Sequence, residues 1–195
     1  MQAGNVIELD RGQLGEIALA TAIEMGPHGF RVHPLHGINS EGDCTCGDQD
    51  CGNKAGKHPR LPKWQERASA DIGKIEEWWE ESPEANIGIT IPPNAMVLDI
   101  DGEQGVDSLI SLETEFGPLP ETWTSKTGRG EHRFFKLPDG VRLKNSSGRV
   151  GVNLDIKTGG GYVVGARSNH VSGKQYAWMA GINPTMSDWL KRRNG

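Results

Sequence analysis

The chain has 195 residues, 35% hydrophobic and 24% charged, a balance that suits one folded domain or two tightly joined lobes. No apolar run reaches the roughly 20 residues of a membrane span, and the amino terminus lacks a basic-then-apolar leader, so a cytoplasmic protein is expected. The net charge of −5 hides an asymmetry: Thr124 to Lys174 holds ten Lys or Arg against three acids, a local +7, which leaves −12 for the remainder and gives phosphate a basic half to meet.

In chain order, "QLGEIALATAIEM" predicts an amphipathic helix over 13–25, stopped by Gly26, and "FRVHPL" a strand. A polar, Gly- and Cys-rich loop then runs from Gly37 to about Lys63, long enough that it needs a job or stays disordered. Ser69 is the expected cap of a helix through "ADIGKIEEWWEE", with Trp78 and Trp79 on its core side. "NIGITI" and "MVLDID" read as strands on either side of a tight Pro92-Pro93-Asn94 connection. A helix over 105–116 is expected to bury Val106, Leu109, Ile110 and Phe116. Short strands follow in "TWTSKT", "HRFFKL", "GVNLDIK", "GYVVGA" and "QYAWM", and "MSDWLKRR" closes the chain as a short helix. Helices and strands first, mostly strands later, point to an α+β fold or a mixed sheet.

All three cysteines fall in the long loop, as Cys44-x-Cys46-x4-Cys51-x6-His58. Four soft or borderline donors at this spacing suit a closed tetrahedral zinc site, whose binding energy would order so polar a segment. His36 and His33 are alternative fourth ligands, and a free, redox-sensitive thiol cluster is the alternative to zinc. Lys54, Lys57, Arg60 and Lys63 surround the loop and could touch a nucleic-acid backbone.

Asp99 and Asp101 end an apolar strand, and residues i and i+2 of a strand share a face. Such a pair either faces solvent or needs a cation to neutralise it. In "TSKTGRGEHRFF" a glycine turn exposes backbone N–H groups beside Arg129 and Gly130, and His132 follows on the same face as Phe134; together they could hold a triphosphate. Asp155 in "NLDIKTGGGYVV" is an acid inside an apolar strand, which requires a metal or a salt bridge, with Lys157 the candidate partner. The three glycines after it imply a sharp bend or close approach by a ligand. "RSNHVSGKQYAW" adds Arg167, His170 and Lys174.

Taken in order, the Cys-rich loop ending "GKHPR", Trp64, "WW", "NIGI", "VLDID", "TGRGEH", "LDIKTGGGYVV" and "SNHVSGKQYAW" resemble the primase-polymerase (prim-pol) branch of the archaeo-eukaryotic primase superfamily. The resemblance covers nearly the whole chain and implies a two-lobed fold with an RRM-like palm. On that reading residues 1–195 form one catalytic domain, with a zinc-binding loop inserted at 37–63 and a lobe border near Pro118. It implies that Asp99, Asp101 and Asp155 hold catalytic Mg²⁺ or Mn²⁺ and that His132 contacts the phosphates of the incoming nucleotide. Arg129, Gly130, Lys157, His170 and Lys174 join the nucleotide-binding set, and zinc is structural. The implied activity is two-metal, template-dependent nucleotidyl transfer from dNTP or NTP on single-stranded DNA, with a primer, in replication of a phage, plasmid or other mobile element. Such relatives often continue into a helicase, a candidate partner. The sequence departs from the family in reading "ARS" where many relatives have "APPS", and in placing Glu131 beside His132. Two other readings compete: a non-catalytic zinc-containing nucleic-acid-binding module, and a haloacid dehalogenase-type phosphatase suggested by "LDIDG".

Overall fold

A computed structural model describes residues 13–179 and 187–188. The elements are α1 (Gln13–Met25), β1 (Arg31–Leu35), α2 (Trp64–Arg67), α3 (Ile72–Glu81), β2 (Asn86–Thr90), β3 (Ala95–Ile100), α4 (Gly102–Phe116), β4 (Thr124–Lys126), β5 (Glu131–Lys136), β6 (Ser146–Ser147), β7 (Leu154–Lys157), β8 (Tyr162–Val164), β9 (Ala177–Trp178) and β10 (Ser187–Asp188). They build two sheets of a mixed α/β fold. One has the order β1-β2-β8; the other runs β6-β7-β3-β5-β4-β9, with β10 also paired to β5. Every pairing is antiparallel except that of β10. None of the helices among the described residues is long and apolar enough to cross a membrane.

The chain changes sheets three times among the described residues, the last between β8 and β9. It leaves the smaller sheet at Pro92–Asn94, between β2 and β3, and returns through Thr158–Gly161, between β7 and β8. The first two crossings are bonded together: Ile91 N donates to Gly161 O, and Thr158 Oγ1 donates to Ala95 O at 2.8 Å. The triple glycine makes the second crossing, a turn closed by Gly161 N on Thr158 O. Pro118 marks no border between the sheets, because β3 before it and β5 after it are direct neighbours.

The period-2 pattern of β3 splits the core. Ala95 and Val97 join the cluster of α1, α3 and the smaller sheet, which holds Ala18, Ala22, Ile75, Trp78, Trp79, Ile87 and Phe134. Met96, Leu98 and Ile100 join Leu109, Phe135 and Leu154 beneath α4. Both tryptophans of α3 are buried as the sequence predicts, and Trp79 Nε1 donates to Ala85 O at 2.9 Å.

Three expectations need correction. Ser69 does not cap α3, because its backbone is committed to β1 through a reciprocal pair of bonds with Val32. The cap is Asp71, whose carboxylate accepts from Lys74 N at 3.0 Å. Asp71→Ala should therefore cost about 1 kcal/mol in denaturant melts, while Ser69→Ala costs less at the helix end. In α4 the helix begins at Gly102 and seats Gly105, Leu109 and Leu112 inward, at i, i+4 and i+7. Gly105 lies close enough that a Cβ would sit 2.8 Å from Asn153 O, so the helix rests its glycine face on the sheet and leaves Val106, Ile110 and Phe116 46%, 55% and 61% exposed. Finally, Ser187–Asp188 of the expected terminal helix is extended and pairs parallel with Phe135–Lys136. The rest of that helix lies outside the described residues.

Candidate functional site

Antiparallel register places the sequence-predicted residues in one row. Asp99 lies directly opposite His132 on β5 and Asp155 on β7, and the row continues to Ser125 beyond His132 and Ser147 beyond Asp155. Residues directly opposite share a face with Cβ atoms about 5 Å apart. The row emerges from the core where the face shared by Val97 and Phe134 opens into a cleft of about 520 Å³. Asp99, Asp101, Arg129, His132, Lys157 and His170 line it, together with Lys57, Trp64, Asn145, Tyr162 and Tyr176.

Burial makes Asp99 hard to ionise. Desolvation, and then the charges of Asp155 and Asp101 against the opposing pull of Lys157, raise its pKa to about 6. His132 lies 3.6 Å away through Nε2, but complete burial holds its pKa down at about 3, so it faces Asp99 as a neutral ring. His132 Nδ1 and Ser125 Oγ are buried with no hydrogen-bond partner among the described residues. The other two acids are drawn aside by cations of the chain. Asp101 Oδ2 accepts from Arg129 at 2.7 Å, and Asp155 pairs with Lys157 at 2.9 Å while also accepting from Ser147 Oγ and Gly148 N. Lys157 is thus the salt-bridge partner that its spacing suggested. The hydrogen bonds to Ser147 and Lys157 outweigh desolvation and hold Asp155 below the usual carboxylate range.

The glycine turn is fixed by close approach. A Cβ on Gly130 would collide with Ile100 O, which keeps the start of β5 tight against the end of β3. A Cβ on Gly128 would lie 2.5 Å from His170 Nδ1. That nitrogen accepts from Ser172 N at 3.1 Å, so the neutral ring carries its proton on Nε2 and has a donor to offer. Gly128→Ala is expected to stay folded yet displace His170, seen as a loss of the wild-type His170 NMR signals. Lys174 does not line the cleft; its carbonyl accepts from His170 N.

The cysteine loop closes as its spacing suggests. Cys44, Cys46, Cys51 and His58 bring their ligand atoms within 4.8 Å of one another, the one such group of three or more among the described residues. Cys44 Sγ and Cys51 Sγ lie 3.3 and 3.5 Å from His58 Nε2, and Cys46 Sγ lies 3.0 Å from Cys51 Sγ. These contacts lie at or below the roughly 3.5–3.8 Å edges of a tetrahedron built on zinc bond lengths, so the four donors are gathered closely enough for one ion. Asp48 N and Gly56 N each approach a cysteine sulfur at 3.4 Å, as donors that stabilise thiolates. Without a cation the thiols resist joint ionisation: hydrogen bonding to Cys46 pushes Cys51 up to about 12. The donor set fits zinc. Of the alternative ligands, His36 stacks on the His58 ring at 4.5 Å, and His33 lies in the smaller sheet, bonded to Thr90 and stacked on Trp64.

Sequence reasoning missed the cleft's aromatic wall, Trp64, Tyr162 and Tyr176, and the role of Asn86. That buried amide donates to Gly56 O and Asn169 O and accepts from Asn169 N, each at 2.8 Å, so one side chain ties the cysteine loop to the segment carrying His170. Nothing in "NIGI" marks the asparagine for this, since its partners lie 30 and 83 residues away.

A family model described as Prim-Pol, bifunctional DNA primase/polymerase, N-terminal, matches residues 22–189. The matched span contains the whole row, the glycine turn and the cysteine cluster. Comparison with curated proteins finds no significant match.

Proposed function

The chain belongs to the Prim-Pol family, and on that premise we propose that it is a DNA primase/polymerase whose nucleotidyl-transfer site is the cleft around Asp99. Membership supports primase/polymerase activity, and with it DNA and nucleotide substrates. The finer reading is that Asp99, Asp101 and Asp155 are the catalytic acids, within a two-lobed primase fold whose palm is the larger sheet. The observation that carries it is the register: Asp99 stands directly between Asp155 and His132, on one face, at the mouth of a cleft that also holds Lys57, Arg129 and Lys157.

Asp99, Asp101 and Asp155 would hold divalent cations, for which an all-carboxylate set around a buried acid is the right chemistry. When bound, Mg²⁺ or Mn²⁺ supplies charge stabilisation for the attacking 3′-hydroxyl and the leaving pyrophosphate. The chain's own residues do the rest. Arg129 and Lys157 now balance Asp101 and Asp155, and they are the cations poised to turn to phosphate oxygens. His132, kept neutral by burial, offers a ring nitrogen to phosphate without adding a buried charge. His170 presents Nε2–H, and Thr127, Gly128 and Arg129 line the same cleft, while the N–H groups of Arg129 and Gly130, expected to be exposed, donate instead to Thr127 Oγ1. Asp99 holds its charge at a point where only a counterion makes it favourable. The Cys3His cluster is read as a structural zinc site with no open position.

The test is nucleotide incorporation on single-stranded DNA, with and without a primer, in Mg²⁺ or Mn²⁺. Template-directed extension is expected, and unprimed products would make the enzyme a primase as well. DNA binding with no incorporation under any of these conditions would overturn the polymerase reading in favour of a zinc-containing binding module. A covalent phosphoryl group on Asp99 would instead revive the phosphatase. DNA affinity should also fall steeply with salt, because the basic half supplies the phosphate contacts.

A further inference from the structure

The cleft's three ammonium or guanidinium groups are not equivalent. Arg129 is held by Asp101 and Lys157 by Asp155, whereas Lys57 has no ion pair or side-chain hydrogen bond among the described residues. Lys57 is nevertheless half-buried and lies within the field of Asp99, Asp101 and Arg129. Holding a lysine there without a partner is unfavourable unless a ligand supplies one.

Its backbone explains how it stays. Lys57 N donates to Lys54 O, and its carbonyl accepts from Tyr162 OH at 2.8 Å. On one side Gly56 donates to Cys44 Sγ and accepts from Asn86; on the other is His58, whose ring meets Cys44 and Cys51. Lys57 therefore sits on the rim of the cysteine cluster, and closing that cluster fixes where its side chain emerges. The loop has little apolar content of its own beyond Ile38 and Ala55, packed with Cys44 in a small satellite core, so the cluster decides its shape.

We propose that Lys57 is a triphosphate-binding residue and that zinc at Cys44, Cys46, Cys51 and His58 positions it, so that the zinc loop forms part of the nucleotide site. The assignment rests on the polymerase reading of the cleft. An ammonium is a compact point charge suited to the mobile oxygens of a triphosphate, and among the described residues Lys57 is the one cation of the cleft that need not first release a carboxylate.

The experiment measures equilibrium affinity for dATP and for dAMP in Mg²⁺, without primer, together with bound zinc. It compares the wild-type chain, Lys57→Gln and Lys57→Arg, each zinc-loaded and zinc-stripped. Lys57→Gln is expected to keep its zinc and melting temperature, since only its backbone enters the loop. It should bind dATP on the order of ten-fold more weakly, lose much less for dAMP, and be largely rescued by arginine. Stripping zinc should weaken dATP binding of the wild type by a similar factor and that of Lys57→Gln hardly further, the non-additivity of two changes acting through one contact. Unchanged dATP affinity in Lys57→Gln, or losses that add in full, would overturn the proposal while leaving the polymerase reading intact. A wild-type chain that binds no dATP at all would overturn both.

Discussion

Asp99→Asn is expected to melt higher than the parent in the absence of Mg²⁺ or Mn²⁺ and to incorporate no nucleotide. The two effects have one cause. In the folded chain the Asp99 carboxyl has a pKa of about 6 against an ordinary 3.8, because burial and its acidic neighbours disfavour the charge. A raised folded value means that the folded state holds a proton which the unfolded chain has released between about pH 4 and 6. Stability from this group is therefore present at low pH, is lost as pH rises through 6, and stays lost at neutral pH. The shift corresponds to at most about 3 kcal/mol, and partial solvent access reduces this to roughly 1–2 kcal/mol. Asparagine keeps the shape and carries no charge, so the melting temperature of the zinc-loaded chain at pH 7.5 without Mg²⁺ or Mn²⁺ should rise by roughly 2–6 °C. Mg²⁺ should then raise the melting temperature of the wild type more than that of the variant, and incorporation should fall by roughly 10³-fold or more. A variant that melts lower without Mg²⁺ or Mn²⁺, or that retains activity, would show that Asp99 is an ordinary structural acid.

Cys46→Ser should reverse that pattern, losing zinc and stability while sparing chemistry at saturating nucleotide. Cys46 is one of four donors in a cluster that organises a loop with very few apolar residues, so metal affinity and loop folding are the same free energy. Bound zinc is expected to fall from one per chain to well below that, with a loss on the order of 3 kcal/mol or more and new protease sensitivity between 37 and 63. The kcat for primer extension should stay within a few-fold of wild type, and the KM for nucleotide should rise. Unchanged metal content with full activity would remove zinc from the account.

The local patterns that forecast these residues were of two kinds. Strand alternation placed Leu98 and Ile100 on one side of β3 with Asp99 on the other, and metal-ligand spacing picked out the cysteines and His58, because both are written in near-neighbour positions. That Asp155, Asp99 and His132 stand side by side is a matter of register between strands tens of residues apart, which spacing alone does not encode. The inward face of α4 was misjudged for a related reason: large apolar residues look like the buried stripe, but the approach of Gly105 to Asn153 sets the helix rotation. Asn86 is illegible as a site residue, and Lys57 reads only as one of four cations that could touch a nucleic-acid backbone, because their meaning lies in who surrounds them.

The repeated crossing between sheets has a kinetic consequence. β3, from the first half of the chain, is flanked by β5 and β7 from the second, and β8, from the second half, completes the sheet begun by β1 and β2. Neither half can finish a sheet alone, although the first half supplies most of the core around α1 and α3. The rate-limiting event must close loops across much of the chain at once, and folding should be slow for a protein of this size. A nick near Pro118 should therefore leave two fragments that each lack a complete sheet and regain the native sheets only on mixing.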